Sequence, residues 1–212
     1  MNFRFLLALF LTALFTIQLS AQKKGPFGHP RIPDASSIVW FGLDFSKAKL
    51  IGSEGFSDPV DIKDRFFDKW NRLMIDEADK YNFRETFRKE SLEYDLSVVE
   101  ERNKMPEADE LVINKAYALG QDEVEAMIRT YNPSEITDGL GLVFVIESFN
   151  KTDQEAYMWV TFFDIASREV ILIDRYMGEP GGFGLRNYWA GSIYEVIQQL
   201  EKNYKIWMKK NK

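Results

Sequence analysis

The chain reads as an α/β (α+β) layered domain: a mixed sheet ending in a three-stranded antiparallel meander, with long amphipathic helices, in the approximate order β-α-β-α-β-β-β-α. Three observations predict this class. A continuous apolar run, Ile38 to Leu43, has the length of a buried strand. Apolar residues recur at helical spacing in two long stretches, 59–81 and 188–208. Three strand-like segments, Leu140 to Phe149, Glu155 to Ile165 and Glu169 to Met177, follow one another across short polar turns.

Taken in order, SSIVWFGLDF places a central strand that ends at Asp44. Asp58 before Pro59 is a helix cap, and Ile62, Phe66, Trp70, Leu73 and Tyr81 then mark one buried stripe. Leu92, Tyr94, Leu96 and Val98 alternate with polar residues, which predicts a strand with one wet face near an edge. Residues 103–120 fit helix and strand equally. Val124, Met127, Ile128 and Tyr131 predict a short helix stopped by Asn132 and Pro133. Leu142, Phe144 and Ile146 against Val143 and Val145 are apolar on both parities, so both faces of that strand should be covered. Asn187 is the expected cap of a last helix, Tyr188 to Met208, with Trp189, Ile193, Val196, Leu200, Tyr204 and Trp207 on its inner face.

The first 21 residues have the form of a cleavable secretory signal: Arg4, an apolar run from Phe5 to Leu14, then Ser20 and Ala21. Residues 22–35, rich in proline and glycine, read as a flexible leader, and 36–212 as a single α/β domain. No cysteine follows the signal, so a lipid-anchored form is not expected, and the mature chain is expected to be periplasmic or secreted. Arg4 is the one charge in residues 1–21, so of 27 basic residues 26 remain against 33 acidic, a net charge of −7. That acidic balance argues against nucleic acid as a partner. With 45% hydrophobic residues, the domain has material for a core that needs no disulfides.

The chemistry on offer is narrow. His29 is the one histidine and precedes the expected core, so Ser-His-Asp, Cys-His and His/Cys zinc arrangements are not available. No catalytic residue, metal or cofactor is expected. The stretch MGEPGGFGLRNYWAG holds the first candidate site: Gly181, Gly182 and Gly184, between a strand and a helix, with Arg186 and Asn187 behind them. Backbone N–H groups at a helix start favour anions, and Arg186 would add a charged pair. The spacing matches no phosphate-binding motif, and glycines with a helix cap equally make a tight turn. Asp44 and Ser46, at the end of the first strand, form the second candidate, where α/β sheets often face ligands; DFSKAK also reads as a polar turn. Asp164 and Asp174 are not read as a metal or acid/base pair, because Asp164 opens a hairpin turn. Asn150-Lys-Thr152 matches a glycosylation pattern by chance. The lysines of KNYKIWMKKNK complement a helix dipole, and no membrane contact beyond the signal is expected given the negative net charge.

With LSAQ, WFGLDFSKAKLIG and GGFGLRNYWAG taken together, the chain resembles a family of small exported α/β proteins of gram-negative-type bacteria. The resemblance covers most of the mature chain and implies no catalytic residues. The arrangement is also similar, at fold level alone, to α/β accessory domains of envelope-assembly proteins. The functional expectation is an exported, non-catalytic envelope protein binding a partner protein or small ligand. The alternative is an enzyme or binder of a phosphate- or carboxylate-bearing ligand at residues 181–187.

Overall fold

A computed structural model describes residues 27–211. The expected signal, residues 1–21, and residues 22–26 of the expected leader lie outside the described residues. The elements are α1 (Arg31–Asp34), β1 (Ser37–Asp44), β2 (Lys49–Ile51), α2 (Pro59–Asp61), a π-helical turn (Ile62–Phe66), α3 (Phe67–Asp76), α4 (Phe83–Thr86), β3 (Ser91–Tyr94), α5 (Ser97–Arg102), α6 (Ala108–Leu111), β4 (Val112–Ile113), α7 (Gln121–Arg129), β5 (Leu140–Asn150), β6 (Glu155–Asp164), β7 (Val170–Gly178) and α8 (Gly184–Lys210).

The domain is mixed α/β, built on one seven-stranded sheet. The long strand β5 organises it. Along one edge β5 pairs in parallel with β1 and then, further on, with β2; β3 and β4 flank those two, also in parallel. Its other edge pairs antiparallel with β6, and β6 with β7. The expected sheet is corrected in its balance: four of the six strand pairings are parallel, and the antiparallel run β5, β6 and β7 is tied through β5 to that parallel half. The expected strand order also differs, because the short strands β2 and β4 lie in segments read as loop or as ambiguous.

Both faces of the sheet are covered. On one side α4 and α8 bring Phe83 against Trp40 and Phe144, and Trp189 flat against Phe149, with ring centroids 4.1, 5.5 and 4.7 Å apart. On the other, Tyr131 at the end of α7 meets Phe41 and Phe163. Aromatic rings give large apolar surfaces to both packed faces.

Four local expectations are corrected. The chain joins the core before Ser36, because Phe27 and Ile32 are both buried. Helix 59–76 opens as expected, with Asp58 accepting from the Asp61 N–H at 2.9 Å, but it stops before Tyr81, which is buried from a following turn. Strand β3 ends at Tyr94 rather than Val98, because the buried Asp95 carboxylate captures the Ser97 N–H and Oγ and turns the chain into α5. Helix α8 starts at Gly184, so Asn187 lies inside it rather than capping it, and Phe183 holds the cap position.

Lys89 ties the early segment down. Its buried Nζ donates to the Ala35 carbonyl at 2.7 Å and to that of Ile32. Burial lowers its pKa from 10.5 to about 8. Between those values the unfolded chain holds the proton and the folded one has released it, so stability should rise with pH. Urea titrations from roughly pH 7.5 to 9.5 are expected to show a gain of about 2 kcal/mol that Lys89→Met abolishes. A slope unchanged in the variant would assign it to another group.

Candidate functional site

Between Tyr94 and Val112 no strand flanks β1, yet β1 continues to Asp44. Its exposed edge groups find partners in two buried side-chain amides. Asn71, on α3, accepts from the Leu43 N–H at 2.7 Å and donates to the Leu43 and Phe67 carbonyls, both at 3.1 Å. Asn103, just past α5, accepts from the Phe45 N–H at 2.6 Å and donates to the Leu43 carbonyl at 3.0 Å. An amide presents a donor and an acceptor side by side, as a neighbouring strand would. Gly42, at φ +100°, lets this edge come close to α3 and α5.

Over these amides opens a cleft of about 490 Å³ between the π-helical turn, α3 and α5. Its lining is Lys63, Asp64, Phe67, Asp68, Asn71, Arg72, Glu100, Asn103 and Lys104. Three cations, Lys63, Arg72 and Lys104, thus face three carboxylates, Asp64, Asp68 and Glu100. Arg72 spans the mouth, donating to Asp68 at 3.3 Å on its own helix and to Glu100 at 3.1 Å on α5. The π-turn contributes Lys63 and Asp64, and such turns are frequent at functional sites. The cleft can hold a small molecule and offer it both signs of charge.

Asp44 and Ser46 lie in a buried network behind α5. Asp44 is fully buried and accepts from the Arg102 Nε at 2.7 Å, the Tyr131 hydroxyl at 2.7 Å and the Ser46 N–H at 2.8 Å. The Arg102 guanidinium also donates to the Ser46 and Thr130 hydroxyls, both at 3.1 Å. Burial and the adjacent Asp44 carboxylate push the Tyr131 phenol well above its usual pKa, so it stays a donor. The cluster binds the end of β1 to α5 and α7.

The glycine stretch lies elsewhere, and among the described residues no hydrogen bond or ion pair joins it to Asp44 or Ser46. Gly182 and Gly184 have φ of +117° and +78°, and the Gly181 N–H donates to the Tyr188 carbonyl at 2.9 Å. A Cβ on Gly191 would overlap the Gly181 backbone, so the turn lies directly against its own helix. Arg186 is exposed, with its Nε on the Asn187 Oδ1 at 3.2 Å, and its carbonyl accepts from Trp70 at 2.8 Å. A hollow of about 250 Å³ beside the first turn of α8 is lined by Gly55, Lys151, Gly184, Leu185, Tyr188 and Trp189. Asp164 accepts from the Ser167 N–H and Oγ, as a turn-opening aspartate does.

Sequence reasoning did not single out Asn71, Arg72, Glu100 or Asn103. An asparagine inside an apolar helical stripe is the one signal for Asn71; Asn103 follows α5 with no local cue. No protein-family model, curated protein or solved structure matches the chain.

Proposed function

We propose that this chain is an exported, non-catalytic binding protein of the cell envelope, and that the α3–α5 cleft receives a small zwitterionic ligand. The observation that carries the reading is the balanced ring of three cations and three carboxylates around a cleft of about 490 Å³. That volume lies in the range of small-molecule sites, about 300–1,000 Å³. At the floor, Asn71 and Asn103 are engaged with backbone, which favours holding a ligand over transforming it. Export rests on the signal-like first 21 residues.

A thermal-shift and calorimetry screen of amino acids, short peptides and other zwitterions tests this. A binder is expected, weakened about tenfold or more by Arg72→Ala, since a charge-assisted hydrogen bond contributes roughly 1.5–3 kcal/mol. Arg72 is 58% exposed, so the same change should alter stability by less than about 1 kcal/mol. Affinity unchanged in Arg72→Ala, or silence across the zwitterion panel, would sink the cleft reading.

A second reading places an anion at the glycine turn. The hollow at the start of the 27-residue α8 favours it, because Lys151 stands there with its Nζ 4.0 Å over the Tyr188 ring. It expects phosphate or a carboxylate to raise the melting temperature, with the effect lost in Lys151→Gln and in Arg186→Ala. Equal shifts in wild type and both variants would reject it.

A further inference from the structure

The tip of the glycine turn carries a side chain that neither the core nor the cleft uses. Phe183 is 96% exposed, the most exposed large hydrophobic side chain among the described residues. It holds the N-cap position of α8, where a serine or aspartate would bond the first-turn N–H groups and a phenyl ring bonds none. Gly182 and Gly184, at φ +117° and +78°, flank it and make the sharp turn that holds the ring out from the fold. Neither burial nor helix capping accounts for a phenylalanine here.

Beside the ring lies the hollow of about 250 Å³ lined by Gly55, Lys151, Gly184, Leu185, Tyr188 and Trp189. A cavity of about 150 Å³ already holds a benzene ring, so this one has room for a phenylalanine side chain. Its lining suits one as well. Leu185, Tyr188 and Trp189 supply apolar and aromatic surface, and the Lys151 Nζ, 4.0 Å from the centre of the Tyr188 ring, offers a cation to a second ring face. Phe183 leaves the hollow of its own chain open, yet Gly184 and Leu185 directly follow it, so ring and hollow share one small surface.

We infer that this surface pairs with a second copy of the chain across a twofold axis, the Phe183 ring of each protomer entering the hollow of the other. A twofold contact uses the same patch on both copies, so a projecting ring beside a hollow of matching size is self-complementary. An unrelated partner would account for the ring or for the hollow, but not for the two side by side. Charge agrees with this occupant. Lys151, Arg186 and the start of α8, which has no acidic residue in its first turn and no side-chain cap, form a positive side. Glu54 and Asp153, exposed in the turns that supply Gly55 and Lys151, are negative, so two copies can set opposite signs against each other.

Sedimentation velocity of the full chain in phosphate-free buffer tests the inference; phosphate is left out because an anion in the hollow would compete with the ring. The contact is small, so wild type is expected to show a weak, concentration-dependent dimer with a dissociation constant of about 10–100 µM. A buried aromatic anchor typically contributes about thirtyfold, and Phe183→Ala removes two per dimer, so that variant should associate about a hundredfold or more weakly. Its melting temperature at low concentration should be unchanged, because the ring is exposed in the monomer. Leu185→Trp, which fills the hollow, should also be monomeric. An equal mixture of the two variants should associate more tightly than either alone, because one intact ring then meets one open hollow. A wild type that stays monomeric up to about 1 mM, or a dimer that survives Phe183→Ala, overturns the assignment. Failure of the mixture to recover association also overturns it, since ring and hollow then do not meet. Binding of monomeric wild type to phosphatidylcholine vesicles that Phe183→Ala abolishes would give the ring to a bilayer instead.

Discussion

Arg102→Ala is expected to lower the unfolding free energy by about 3–5 kcal/mol, the cost of leaving a buried charge without its partner. Asp44 is fully buried, and Arg102 is its one cationic partner among the described residues, at 2.7 Å. Removing the guanidinium leaves the carboxylate with the Tyr131 hydroxyl and the Ser46 N–H, neither of which supplies positive charge. For a domain of this size the melting temperature should fall by roughly 10 °C. Asp44→Asn/Arg102→Ala should recover part of the loss, because the unpaired charge is then gone. Thermal and urea unfolding of the variants checks this. A loss below about 1 kcal/mol for Arg102→Ala would mean that the pair does not anchor the end of β1.

Gly42→Ala is the second large effect, and it joins fold to site. At φ +100° an L-residue is strained, and the added Cβ would lie 2.5 Å from the Asn71 Oδ1 and 2.8 Å from both Leu96 and Val99. Left-handed backbone strain of about 1–2 kcal/mol and overpacking of about 1–3 kcal/mol act together, so a loss of roughly 2–4 kcal/mol is expected. Because Asn71 lines the cleft, zwitterion affinity should fall even in the fraction that remains folded. Chemical denaturation gives the first quantity and calorimetry the second. A fully stable Gly42→Ala protein with native affinity would show that the close approach of β1 to α3 and α5 is dispensable.

How far the sequence was readable depends on the range of the interaction. Asp58 as cap, Asp164 as turn residue and the stripe of α8 follow from neighbours within a few residues, and the structure has all three. The alternation of Leu92 to Val98 misled, because the Asp95 carboxylate captures Ser97 and overrides the strand period. The short strands β2 and β4 carry almost no periodic signal, and each is defined by its partners. The glycine turn was visible as a turn with a helix behind it. Its helix begins before Asn187, and Gly184, at φ +78°, makes the sharp turn into it.

The sequence by itself determined the class of layers, the two long amphipathic helices, the last three strands and the narrow range of side-chain chemistry, since hydrophobic period and composition are local properties. The tertiary structure alone decided the mostly parallel sheet, the pairing of Asp44 with Arg102 and the use of Asn71 and Asn103 in place of a strand. Each of these joins residues at least 28 positions apart, with Asn71 the nearer case and Asp44–Arg102 separated by 58. Such contacts form only where chain folding brings distant backbone edges and side chains to one place. The cleft with its ring of charges arises in the same way, because the gap between β3 and β4 exists only once the strands are aligned along β1 and β5.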